Sequence, residues 1–242
     1  MTVPADPSPS PQASDDPPIR PVPEYPLALV LTGRRCLVVG GGRVAGRRVL
    51  GLLAAGGEVT VVAPEVTAGI SALAGGADRT GSDPDLPGSL VVVARPYRNG
   101  EAAGYDLVLT ATGRPEVDRR VVSDAQAAGV LVNSADGTAP GTVSLPAVHR
   151  DGPVTVTVST GGASPALARW LRDRMVGAIP DGSATLAELI GQARAELRRQ
   201  GRTTESVAWG PLLEELMPLV SAGRFDEARA ALARASEQSS PE

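Results

Sequence analysis

Cys36-Leu37-Val38-Val39-Gly40-Gly41-Gly42-Arg43-Val44-Ala45 decides how this chain is read. CLVV at 36–39 is a short apolar run bounded by Arg35 and three glycines, the pattern of a strand buried on both faces of a parallel sheet. From 44 to 55 the apolar residues Val44, Val49, Leu52 and Leu53 fall at helical spacing, with Arg47 and Arg48 on the polar side. Between strand and helix stands G-x-G-x-x-A. In such a turn Gly40 permits the sharp reversal, Gly42 lets the backbone approach a pyrophosphate, and Ala45 allows close helix–sheet contact. The N–H groups opening the helix favour anionic phosphates, so a dinucleotide is the expected ligand.

The same alternation continues outward. VTVV at 59–62, LVVVA at 90–94, LVLTA at 107–111 and the run 130–133 read as four more strands, with a helix over 118–128. Strands interleaved with helices predict an α/β fold with a Rossmann-like parallel sheet. The acid expected at the end of the second strand to hold the adenosine ribose is missing, because VTVV runs into Ala63-Pro64. Glu65 is the nearest carboxylate, so Pro64 and Glu65 become the candidate ribose contacts, and the choice between NAD and NADP stays open.

Beyond residue 136 the texture changes. VTVTVS at 154–159 alternates strictly, as a half-exposed antiparallel strand does. It leads through Thr160-Gly161-Gly162-Ala163-Ser164-Pro165 into a helix over 166–175. From 185 to 235 the chain is rich in Ala, Leu, Glu and Arg, with helix breaks expected at 201–204 and at Gly210-Pro211. The domain order is therefore a Pro-rich tail at 1–24, a dinucleotide domain at 25–144, a small strand–helix element at 145–177 and a helical C-terminal domain at 178–242. The alternating strand of the third leaves one apolar face that a short segment cannot cover alone, so it is the expected dimerisation segment. Eight prolines among Ser, Asp and Ala leave the tail too little apolar surface to fold, so it is expected to be disordered.

Composition removes much chemistry. All 23 basic residues are Arg, so a Schiff-base lysine and a P-loop lysine are excluded. One Cys (Cys36) and one His (His149) exclude disulfide scaffolds and Cys/His zinc sites. A net charge of −4 argues against coating nucleic acid, and no apolar run approaches the roughly 20 residues of a membrane span. The first residues lack the basic-then-apolar order of a secretory signal, so the expected location is cytoplasmic. Cofactor chemistry and carboxylate acid–base work remain.

Two further stretches suit such chemistry. Asn133-Ser134-Ala135-Asp136 follows the fifth strand, where the ligand crevice of an open α/β sheet lies, and a carboxylate there can accept or deliver a proton. Asp-Gly is equally a common turn pair. Ser159 to Pro165 gathers hydroxyls and N–H groups at a helix start, which suits a substrate carboxylate and equally a plain cap with Ser164 at N-cap and Pro165 at N1. Thr160, Gly161, Gly162 and Ser164 are the candidate substrate contacts. His149 reads as a surface histidine and Cys36 as a small core residue.

Together, Gly40 to Arg48, Thr110-Ala111-Thr112, Asn133 to Asp136, Leu145-Pro146-Ala147 and Ser159 to Pro165 with Leu167-Ala168-Arg169 resemble the precorrin-2 dehydrogenase family, which is also the N-terminal module of siroheme synthase. The resemblance covers about 25–177. It implies NAD-dependent oxidation of precorrin-2, a tetrapyrrole, to sirohydrochlorin, with Fe²⁺ insertion (sirohydrochlorin ferrochelatase) as a second activity of the family. It implies cofactor contacts at Gly40, Gly42, Arg43, Val44, Ala45, Pro64, Glu65 and Thr112. The family's acid–base aspartate falls on Asp136, which would touch Fe²⁺ in passing without forming a fixed metal site. The resemblance also implies a homodimer built around 145–177. Arg48 stands where the family usually carries Lys. A non-catalytic module that senses NAD or a tetrapyrrole is the alternative the sequence leaves open.

Overall fold

A computed structural model describes residues 23–75, 80–81, 86–135, 137, 139–203 and 207–238. The chain divides into two compact units, Tyr25–Leu145 and, apart from a short N-terminal stretch, Pro146–Glu242. The Pro-rich stretch through residue 22 and Asp136 lie outside the described residues.

The first unit is the expected α/β sheet. Its strands are β1 (Arg35–Val39), β2 (Glu58–Ala63), β3 (Thr80–Gly81), β4 (Ser89–Ala94), β5 (Leu107–Thr110) and β6 (Leu131–Ser134). They lie in the order β3-β4-β2-β1-β5-β6; β3 is antiparallel to β4 and every other neighbour is parallel. Successive side chains of β1 serve opposite faces. Cys36 and Val38 pack under α1 (Arg43–Ala54) and α2 (Ala68–Leu73), against Ala45, Val49, Leu52 and Ile70. Leu37 and Val39 pack on the other side with Val121, Val122 and Ala125 of α3 (Pro115–Ala127). Burial on both faces is why CLVV is apolar throughout.

Strand order sets the crevice. The chain runs from β1 to β2 and β4 on one side, then returns to place β5 and β6 on the other. Connections therefore diverge between β1 and β5, and at their carboxyl ends such a sheet leaves a ligand crevice.

The second unit opens with a hairpin of β7 (Ala147–Asp151) and β8 (Val154–Val158), in which His149 is opposite Val156. Gly152 turns it at φ 50°. Then come α4 (Pro165–Val176), α5 (Ser183–Arg199), α6 (Trp209–Ser221) and α7 (Phe225–Gln238). Leu186, Leu189, Leu197, Leu212, Leu216 and Leu232 are the large members of a core shared by the last three helices. Glu24 belongs to this unit and accepts the Ser159 hydroxyl at 2.5 Å.

One expected break is displaced. Gly210 and Pro211 do not interrupt a helix; they lie in the first turn of α6, where a missing N–H costs no helical hydrogen bond. The interruption comes instead between α6 and α7, with Gly223 at φ 73°.

Candidate functional site

The glycine turn joins β1 to α1, and its three glycines meet different surroundings. Gly40 is buried, at φ 123°, a conformation that disfavours side chains. A Cβ there would lie 2.7 Å from the carbonyl carbon of Ala111 and 3.2 Å from the amide nitrogen of Thr112. On Gly41 it would lie 2.9 Å from the carbonyl carbon of Glu65 and from the Cα of Val66. On Gly42 it would meet nothing within 4 Å. Gly42 has φ −81°, which any residue adopts. Neither packing nor backbone strain requires glycine at position 42, and the open space there leaves room for a ligand to approach the backbone.

Hydrogen bonds fix the turn on the sheet. The Gly40 N–H donates to the Val62 carbonyl at 3.0 Å, and the Thr67 N–H donates to the Gly41 carbonyl at 2.9 Å. Pro64 and Glu65, both exposed, are thus held beside the glycine turn. The first turn of α1 has no side-chain cap and no acidic residue. Its N–H groups, the exposed backbone of Gly42 and the exposed Arg43 suit an anionic ligand. Val44 is half-exposed, whereas Ala45 is fully buried against the sheet. A dinucleotide pyrophosphate fits this cradle.

Across the crevice, β5 ends at Thr110 and runs into Ala111-Thr112. Buried Asp118, in the first turns of α3, accepts the hydroxyl of Thr110, the Thr112 N–H at 3.2 Å and the Thr112 hydroxyl at 2.9 Å. Arg48 reaches from α1 to the Thr110 carbonyl at 3.5 Å, so the guanidinium at this family-lysine position bridges helix and sheet. Asp118 carries no signal by spacing alone, because it stands among Glu116, Arg119 and Arg120 as on a solvated face.

On β6, the Asn133 amide donates to the Val143 carbonyl at 2.9 Å and pins the segment that leaves the sheet. The N–H of Ala135 donates to the Thr110 carbonyl at 2.9 Å. Sequence order therefore puts Asp136 one residue beyond a group bonded to the end of β5.

In the second unit, Ser159 to Pro165 folds on itself. Ser164 caps α4, its hydroxyl oxygen accepting the Leu167 N–H at 3.2 Å. The Thr160 hydroxyl oxygen accepts the Ser164 N–H at 3.0 Å, and the Gly161 N–H donates to the Ser159 hydroxyl at 3.2 Å. Gly161 and Gly162 have φ 58° and 82°, and a Cβ on Gly162 would meet nothing within 4 Å. Among the described residues no group of three or more His, Cys, Asp or Glu side chains could hold a metal ion.

Comparison with known proteins shows the family and the fold. Residues 27–147, half the chain, match the family described as "Putative NAD(P)-binding", and residues 151–178 match "Sirohaem biosynthesis protein central". Siroheme synthase of Chromobacterium violaceum is 36% identical over 200 residues, which are 80% of this chain and 40% of that protein. Siroheme synthase 1 of Halorhodospira halophila is 35% identical over 221 residues, 88% of this chain and 43% of its own. The chain thus spans about two fifths of the length of these relatives. The solved structure of SirC, precorrin-2 dehydrogenase, shares the fold, with a TM-score of 0.66 at 24% identity over 88% of this chain and 100% of that one. The chain belongs to the NAD(P)-binding family represented by residues 27–147, followed in order by the central segment of sirohaem biosynthesis proteins.

Proposed function

We propose that this chain is a cytoplasmic, homodimeric dehydrogenase that oxidises precorrin-2 to sirohydrochlorin with NAD. The observation that carries the reading is the open space at Gly42, between two glycines pressed against backbone and at the start of an uncapped helix. Gly40, Gly42, Arg43, Val44 and Ala45 hold the pyrophosphate, with Pro64 and Glu65 toward the ribose and Thr112 on the opposite wall. Bound NAD supplies a two-electron hydride acceptor. Asp136 takes the proton released with the hydride, so that precorrin-2 loses two hydrogens in all. Thr160, Gly161, Gly162 and Ser164 bind a carboxylate of the tetrapyrrole.

The dimer reading is supported by α4. Leu167, Trp170 and Met175 are about half exposed there, and Ala168 is the one residue of that helix that is buried. The valines of β8 are partly covered, so the uncovered apolar surface sits on the helix rather than the strand.

The test is incubation of the purified chain with enzymatically made precorrin-2 and NAD while absorbance spectra are recorded. Conversion to the sirohydrochlorin spectrum with matching NADH formation is expected. Tight NAD binding with no conversion would favour a sensor module. Adding Fe²⁺ or Co²⁺ afterwards tests metal insertion, the second activity that the resemblance implies.

A further inference from the structure

We propose that Asp118 is the positioning residue of the dinucleotide site, setting the wall that Ala111 and Thr112 present to the glycine turn; this rests on the reading of that turn as a NAD site. A carboxylate that is 1% exposed has lost its hydration and needs replacement partners. No guanidinium forms an ion pair with Asp118 among the described residues. Its replacement partners are the Thr110 hydroxyl, the Thr112 N–H and the Thr112 hydroxyl, all on one carboxylate oxygen. The Thr112 hydroxyl has a single proton. Spending it on Asp118 leaves its oxygen to accept the Arg114 N–H at 3.0 Å, which closes the turn into α3.

The opposite side of this turn is the wall that Gly40 faces. The Thr112 amide that donates to Asp118 is the same nitrogen that a Cβ on Gly40 would approach to 3.2 Å. A shift of this turn by a few tenths of an ångström therefore changes the width of the crevice between β1 and β5. Gly113, at φ 67° and with open space around it, offers the turn no packing support of its own. Position is thus imposed from one side by β5 and from the other by one carboxylate oxygen. Support of this kind behind a binding group governs affinity through geometry.

The distinguishing feature is that an acceptor oxygen is needed, while the charge is not. Asp118→Ala removes the acceptor; Asp118→Asn keeps an acceptor oxygen at that position and removes the charge. Both variants, in the full chain, are compared with wild type by amide hydrogen exchange over 110–114 and by NAD titration. With alanine, exchange over 110–114 is expected to accelerate selectively and NAD affinity to fall at least about tenfold. With asparagine, most of both losses is expected to be recovered.

Unchanged exchange and affinity in a folded alanine variant would overturn the proposal, as would acceleration spread evenly over the first unit. If the alanine variant does not fold, a folded asparagine variant decides: affinity near wild type supports positioning, and tenfold weaker affinity overturns it in favour of charge. If wild type binds no NAD, the reading of the glycine turn fails, while the exchange comparison still decides what Asp118 holds in place.

Discussion

Gly40 and Ala111 lie so close that a side chain on the first would collide with the carbonyl group of the second, its Cβ 2.7 Å from the carbonyl carbon. The two residues directly follow the ends of adjacent parallel strands, β1 and β5, so the collision would fall at the carboxyl edge of the sheet, where the crevice opens. Gly42, two positions on, has open space. Gly40→Ala adds this collision to a positive φ and is expected to cost about 3 kcal/mol or more, as a strained backbone pressed into a close contact does. Gly42→Asp should leave the urea midpoint near wild type, yet abolish NAD binding by placing a carboxylate where the phosphates sit. Paired unfolding curves and NAD titrations check both. Unchanged NAD affinity in folded Gly42→Asp would remove the dinucleotide from this turn.

Cys36 predicts an alkaline loss of stability. Burial, then the nearby charges of Asp106 and Glu58, push its thiol from 9.0 up to about 11. Below pH 9 the thiol is neutral in both folded and unfolded chains. Between pH 9 and 11 the unfolded thiol ionises while the folded one keeps its proton, so stability falls as pH rises, by up to about 3 kcal/mol. The Tyr97 phenol is also raised, by burial and by its hydrogen bond to Asp124, so the thiol must be isolated by difference. Urea unfolding of wild type and Cys36→Ala at pH 8 and 10.5 should show a shallower pH dependence in the variant. Native Cys36 should also stay inert to thiol reagents at pH 8, because the thiolate is the nucleophile.

The exposed stripe of α4 predicts how the chain assembles. Leu167, Trp170 and Arg174 recur at three- and four-residue spacing, and the Arg174 guanidinium lies 4.9 Å from the centre of the Trp170 ring. An isologous dimer across this face would bury both copies of Trp170. Trp170→Glu should then convert a dimer to a folded monomer at micromolar concentration by light scattering. A wild-type monomer under those conditions would remove the dimer from the proposal.

What was legible in the sequence follows from which forces act locally. The strand–glycine–helix unit is visible because a strand buried on both faces must be apolar throughout, and CLVV is. The six residues of α2, AGISAL, are too few for a helical period to register. In β7, AVHRD carries Arg150 and Asp151 on its exposed end, which hides a strand that, among the described residues, pairs with β8 only. The middle glycine of the turn looks like a free position in G-x-G-x-x-A. Its constraint comes from the Glu65 backbone, 24 residues away, and only tertiary structure reveals it. Asp118 was hidden for the same reason, since its partners Thr110 and Thr112 lie on the preceding strand end.

Asp136 carries the last expectation, and it rests on sequence order and chemistry. Removal of a hydride from precorrin-2 must be matched by loss of a proton from the macrocycle, and insertion of a metal must displace two pyrrole N–H protons. One carboxylate at the crevice could serve both steps, and its negative charge would favour approach of Fe²⁺. Rivals other than carboxylates are few: the chain has no Lys and a single His. That histidine, His149, is partly buried in the hairpin opposite Val156. Asp136→Asn keeps the shape of the side chain and removes its basicity, so dehydrogenation should fall at least about a hundredfold, the low end for acid–base catalysis. NAD affinity should survive, because the glycine turn belongs to β1 and α1. Turnover of precorrin-2 near the wild-type rate would reduce Asp136 to a turn residue, and His149→Ala would then be the variant to assay.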